Sequence, residues 1–114
     1  PYSIADVAVA VANAMEQLGH DRFDVAGFSW GGAVAQQLAL ADNTPLRRMV
    51  LMATSPLLPA PGLGVGTLFD ADVLTSGVRL TGTSLIGIGA QLLAANGWSV
   101  VSALPRLTDV PMLI

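Results

Sequence analysis

A short run that is apolar but for Asp24, Phe23 to Phe28, leads into the pattern Gly27-x-Ser29-x-Gly31 and passes with no spacer into an alanine-rich stretch. A run that short and apolar, bounded by glycine, reads as a strand buried in a sheet. The residues that follow, among them Ala33, Val34, Leu38 and Ala41, can share one face of a helix from about Gly31 to Ala41. Joining the two through a single serine demands a very sharp bend. Glycine is expected at Gly27 and Gly31 because side chains there would collide with neighbouring backbone, and Gly32 answers the same need for close packing of helix on strand.

The flanking segments extend the pattern. Ile4, Val7, Ala8, Val11, Met15 and Leu18 recur at helical spacing, with Ser3 as a cap, Asp6 three residues on and Gly19 as the stop, so a helix is expected over about 4–18. Asp42, Asn43, Thr44 and Pro45 end the second helix, and Met49 to Ala53 reads as a second buried strand. Helix, strand, helix, strand is the rhythm of an α/β fold with a parallel sheet covered on both faces. Three prolines and three glycines in 55–66 predict an irregular excursion, followed by a loosely helical region from about Phe69 to Leu104. Val110 to Ile114 reads as a third strand, with Pro111 tolerated at its beginning.

Three strands buried on both faces need more neighbours and covering helices than 114 residues supply. The expectation is one incomplete domain, an internal piece of a larger one: 1–54 carry the core with its sharp bend, 55–104 a cap-like segment, and 105–114 a return to a core strand. Composition points the same way. Apolar residues make up 53% and charged ones 11%, where about 25% charged is usual, so more of the chain wants burial than is typical.

The formal net charge is −3, and the five basic residues, Arg22, Arg47, Arg48, Arg79 and Arg106, are scattered but for one pair, which argues against nucleic acid as a partner. The chain has no cysteine, hence no disulfide or thiolate metal site, and a reducing, cytoplasmic setting is expected. No basic segment precedes the first apolar stretch, which is not read as a signal peptide. Residues 80–105 are uncharged, but Gln91, Asn96, three serines, two threonines and four glycines dilute them, so no stable membrane span is expected.

A serine lifted out of a sheet by a strand-turn-helix of the form G-x-S-x-G is a nucleophile elbow. Its hydroxyl stands beyond the strand's carboxyl end and near the next helix's N-terminus, where backbone N–H groups and the helix dipole stabilise an oxyanion. Ser29 is therefore the candidate nucleophile, and the N–H of Trp30 the candidate oxyanion donor. A glycine-rich sequence produces such spacing by chance as well; the apolar run ahead and the helical pattern behind favour the functional reading.

The segment "VAGFSWGGAVAQQLAL", with "RMVLMATSP" after it, resembles the α/β-hydrolase superfamily. The details Trp30, Gly31, Gly32, Ala33, Gln36 and Gln37 resemble the intracellular poly(3-hydroxyalkanoate) depolymerases within it, and the tail "GWSVVSALPRLTDVPMLI" is similar to the stretch leading into the strand before their catalytic acid. The resemblance implies a partial α/β-hydrolase fold and a cofactor-free serine esterase in which Ser29 attacks an ester carbonyl to form an acyl-enzyme, the substrate being a poly(3-hydroxyalkanoate) or related hydroxyacyl ester. It also implies an acid just past the strand at Met112 to Ile114, a later histidine, and a second oxyanion donor from a loop ahead of the first helix; none of these positions falls within the sequence. The same elbow serves lactonases, peroxidases and acyltransferases, and a catalytically inactive fragment or interaction module is the reading of another class.

A serine needs a base, and the sequence holds one histidine, His20. It precedes the strand that leads to Ser29, which places it about 15–20 Å away at the opposite end, so it is read as a solvated loop residue. Asp70 and Asp72 are read as a solvated turn, Gly62, Gly64 and Gly66 as no phosphate loop, and Trp98 as core packing near the cap.

Overall fold

The computed structural model describes residues 2–57 and 84–114. The expected irregular excursion beyond Leu57, the first part of the expected helical region, and Asp70, Asp72, Gly62, Gly64 and Gly66 lie outside the described residues.

Helix α1 (Ile4–Gln17) begins on a capping box. The Ser3 hydroxyl accepts from the Asp6 N–H at 3.1 Å, and the Asp6 carboxylate accepts from the Ser3 N–H at 2.8 Å. It ends at Gly19, whose φ of +83° suits the left-handed position; the His20 N–H reaches back to Met15 O and the Gly19 N–H to Glu16 O, a Schellman closure. Leu18, expected on the apolar face, is instead the C-cap and is exposed. Backbone hydrogen bonding from Ser3, with the hydroxyl's bond second, holds the Asp6 carboxyl below its ordinary value. Because the folded value is the lower one, this contribution is complete above about pH 4 and disappears as pH falls through the lowered value. Acid titration followed by helix circular dichroism should therefore show a loss of α1 signal that Asp6→Asn removes.

Strand β1 (Phe23–Phe28) coincides with the expected run. Helix α2 (Trp30–Ala39) begins one residue after it. Strand β2 (Leu46–Met52) starts three residues earlier than its apolar run suggests, because Arg47 and Arg48 sit in the strand and pair across it with Asp24 at 3.3 and 3.9 Å. The turn before β2 uses Asn43 at φ +56°, and Thr44 Oγ1 donates to Leu38 O at the end of α2 while accepting from the Leu46 N–H.

After the undescribed stretch come α3 (Leu85–Ala95), a 3₁₀ turn (Val101–Ala103), α4 (Leu104–Leu107) and β3 (Met112–Leu113). β3 is shorter than expected: Val110 turns inward as a buried loop residue, and Pro111, which has no N–H to give, offers its carbonyl to the Met49 N–H at 2.9 Å. Among the described residues no helix is long and apolar enough to cross a membrane.

The sheet is parallel, in the order β1-β2-β3, with Val25 beside Met49 and Gly27 beside Leu51. α2 lies over β1 and β2, and α1 packs against α2. Ile4, Ala33, Leu38, Leu46 and Met49 form the centre of the core. The other face of the sheet is uncovered among the described residues. Asp24, Ala26, Phe28, Met52 and Leu113 are exposed, Phe28 to 67%. Alternation along each strand decides which residues are inside, and Asp24 and Arg48 mark the open side.

Candidate active site

The site begins where β1 stops. A Cβ built on Gly27 would lie 2.6 Å from Gly31 O and 2.7 Å from Gly32 Cα, so only glycine lets the returning helix pass this close. A Cβ on Gly32 would lie 2.5 Å from the Cβ and Oγ1 atoms of Thr54 and 2.6 Å from its Cγ2. Gly31 differs from its expectation: a Cβ there meets nothing within 4 Å among the described residues, because its direction is away from the strand. The close approach belongs to Gly27 and Gly32.

Between them Ser29 adopts φ 49° and ψ −116°, a conformation that costs a non-glycine residue roughly 1–3 kcal/mol. Three hydrogen bonds impose it. The Ser29 N–H donates to Met52 O at 2.9 Å, and Ser29 O accepts both the Gly32 N–H at 2.9 Å and the Thr54 hydroxyl at 2.8 Å. Thr54 arrives through Ala53, which is itself left-handed at φ 48°. Gln36, only 2% exposed, completes the arrangement: its amide nitrogen donates to Gly32 O at 3.2 Å and to Ser55 O at 3.1 Å. The loop after β2 is thereby tied to both sides of the bend.

Serine is among the best helix N-caps, and Ser3 and Ser84 both use their hydroxyls that way. Ser29 occupies the N-cap position of α2 with its hydroxyl making no cap bond, and the residue is exposed. Among the described residues neither the Trp30 nor the Gly31 N–H finds an acceptor. The first turn of α2 holds no acidic side chain, so the positive end of its dipole is uncompensated there.

Both tryptophans fasten the later segment to α2. The Trp30 indole N–H donates to Gln91 O at 2.9 Å, and that of Trp98 to Gln37 Oε1 at 3.1 Å. Trp98 is half-buried against the core, as its packing reading anticipated. Ser29, Trp30, Gly27, Gly31 and Gly32 thus stand together, while His20 does not join them. It lies exposed in the loop before β1, with the whole strand between it and Ser29, about 15–20 Å by strand rise. Asp21, Asp24, Asp42 and Asp109 also lie at or before the starting ends of the strands. An open groove of about 530 Å³ at that same far end is bordered by Asp21, Arg22, Arg106 and Asp109; Arg22 donates to Leu46 O and Arg106 to Leu40 O, so its cations already serve the scaffold.

Reasoning from sequence missed Thr54 and the structural role of Gln36. A signal for the second existed: an amide inside an otherwise apolar helix must find partners when buried. No periodicity marks Thr54, since its partner is a backbone carbonyl 25 residues away.

Parallel strands, covering helices and a serine at a strained strand-to-helix bend define an α/β-hydrolase-type fold. A family model described as the alpha/beta hydrolase fold matches residues 1–83, and the chain belongs to that family. It is 39% identical over 56 residues to a pimeloyl-[acyl-carrier protein] methyl ester esterase from Pseudoalteromonas atlantica, the match covering 49% of the chain and 20% of that protein. A crystal structure of a hydrolase from Pseudomonas aeruginosa superposes with a TM-score of 0.72 at 20% identity, covering 98% of the chain and 52% of that structure. The chain therefore spans about a fifth of the curated relative in that match and about half of the solved structure.

Proposed function

We propose that Ser29 is the nucleophile of an ester hydrolase. Its hydroxyl attacks the carbonyl carbon, the tetrahedral oxyanion is received by the Trp30 N–H, the alcohol leaves, and water cleaves the resulting acyl-enzyme. The observation that carries this is a serine held at φ 49° and ψ −116° at the head of α2 with its hydroxyl withheld from capping. The general base is a residue beyond these 114, because His20, their one histidine, stands at the wrong end of β1, and the resemblance puts the acid past the strand at Met112 to Ile114.

The substrate is a carboxylic ester with an apolar acyl part. A hydroxyacyl ester, polymeric or oligomeric as in poly(3-hydroxyalkanoate), follows from the resemblance around Trp30 to Gln37. A methyl ester is the second reading, supported by the relative from Pseudoalteromonas atlantica. A cytoplasmic site of action belongs to the same proposal.

A fluorophosphonate should label Ser29 in the full-length protein and fail to label Ser29→Ala; an unlabelled parent assigns the fold a non-catalytic role. Release of acid from 3-hydroxybutyrate oligomers against aliphatic methyl esters then separates the two substrate readings. The 114 residues alone should turn over negligible ester, and turnover that vanishes in Ser29→Ala would refute the account of His20.

A further inference from the structure

The Ser29 carbonyl and the Trp30 N–H are the two ends of one amide group. That carbonyl accepts two hydrogen bonds, from the Gly32 N–H at 2.9 Å and from Thr54 Oγ1 at 2.8 Å. A donor placed on an amide oxygen polarises the group and makes its N–H a stronger donor, the cooperative effect seen along hydrogen-bond chains. We propose that Thr54 is a positioning residue for the oxyanion site: its hydroxyl fixes the plane of the Ser29–Trp30 amide and strengthens the Trp30 N–H toward the developing negative charge. This rests on the reading of Trp30 as oxyanion donor.

The surroundings serve that single bond. Ala53 is left-handed, which turns the chain back over the bend. Gln36, buried in α2, holds Ser55 O and so fixes the residue next to Thr54. Gly32 leaves the space that the Thr54 side chain fills; a methyl there would overlap all three of its outer atoms. The bond spans the exit of β2 and the exit of β1, the two strand ends that flank the serine. A hydroxyl engaged only in stabilising the loop has no need of this particular acceptor, because Gln36 already joins loop to helix.

The test uses Thr54→Val, which keeps the shape and removes the donor, and Thr54→Ser, which keeps the donor. Ser29–Trp30 is the one Ser-Trp pair in the 114 residues, so carbonyl-¹³C serine with ¹⁵N tryptophan picks it out there, and loss of the signal in Trp30→Phe assigns it in the full-length protein. The Trp30 nitrogen should move upfield in Thr54→Val and stay near its parent position in Thr54→Ser. The first-order rate of fluorophosphonate reaction at Ser29 should fall about two- to threefold in Thr54→Val, the part of the oxyanion bond that polarisation adds, with the half-saturating concentration unchanged and the rate restored in Thr54→Ser. Thr54→Ala supplies the same comparison if the valine variant fails to fold. A parent that labels, with Thr54→Val and Thr54→Ala reacting as fast, overturns the inference and leaves Ser29 as nucleophile. A parent that does not label removes the oxyanion site and the inference with it.

Discussion

Ser29→Gly is expected to yield a protein about 1 kcal/mol more stable than its parent and inert toward a fluorophosphonate. The gain comes from the bend. At φ 49° and ψ −116° a serine carries roughly 1–3 kcal/mol of backbone strain, while glycine occupies such regions freely and gives back about 0.5–1 kcal/mol through the greater freedom of its unfolded chain. Relief outweighs that loss. Ser29→Ala keeps the strain and should match the parent's stability within about 0.5 kcal/mol while losing the same chemistry. Denaturant midpoints of the three proteins distinguish the effects; a destabilised Ser29→Gly would show that the bend stores no strain. The trade of stability for activity is the one expected where a catalytic group must be held out of its preferred geometry.

Gly27→Ala should be the most damaging single methyl in the described core, costing above about 3 kcal/mol or preventing recovery of folded protein. The reason is what the methyl meets: Gly31 O at 2.6 Å, Gly32 Cα at 2.7 Å and Gly31 C at 2.9 Å are all backbone, so no side chain can swing aside. Moving them means parting α2 from β1, the contact on which the core is built. Gly31→Ala is the control. Its methyl meets none of the described residues, and the substitution should be neutral or stabilising by up to about 1 kcal/mol through helix propensity. Equal damage from both would refute the account of the bend.

The strand-turn-helix at Phe23 to Ala39 was readable because three local rules agree there: a short apolar run, glycines at a bend, and a helical repeat. The capping box of α1 was readable for the same reason, Ser3 and Asp6 lying three residues apart. What escaped depended on partners distant in the chain. Arg47 and Arg48 look like a loop until Asp24 is beside them. Gly31 fits the motif, yet none of the described residues around it requires a glycine, and among them Gly32 carries the need that the spacing assigns to Gly31. Within the site the serine at the bend was legible and its clamp was not, since a hydroxyl bonded to a carbonyl leaves no pattern in the letters.

The two indoles also give the molecule a built-in optical probe. Both stand at the seam where α2 meets the segment from Ser84 to Trp98, each donating its ring N–H across it. Tryptophan emission from these residues therefore reports on that seam and on the core beneath it. A red shift on adding a greasy ester, at unchanged backbone ellipticity, would be the signature of the seam parting while the scaffold stays whole.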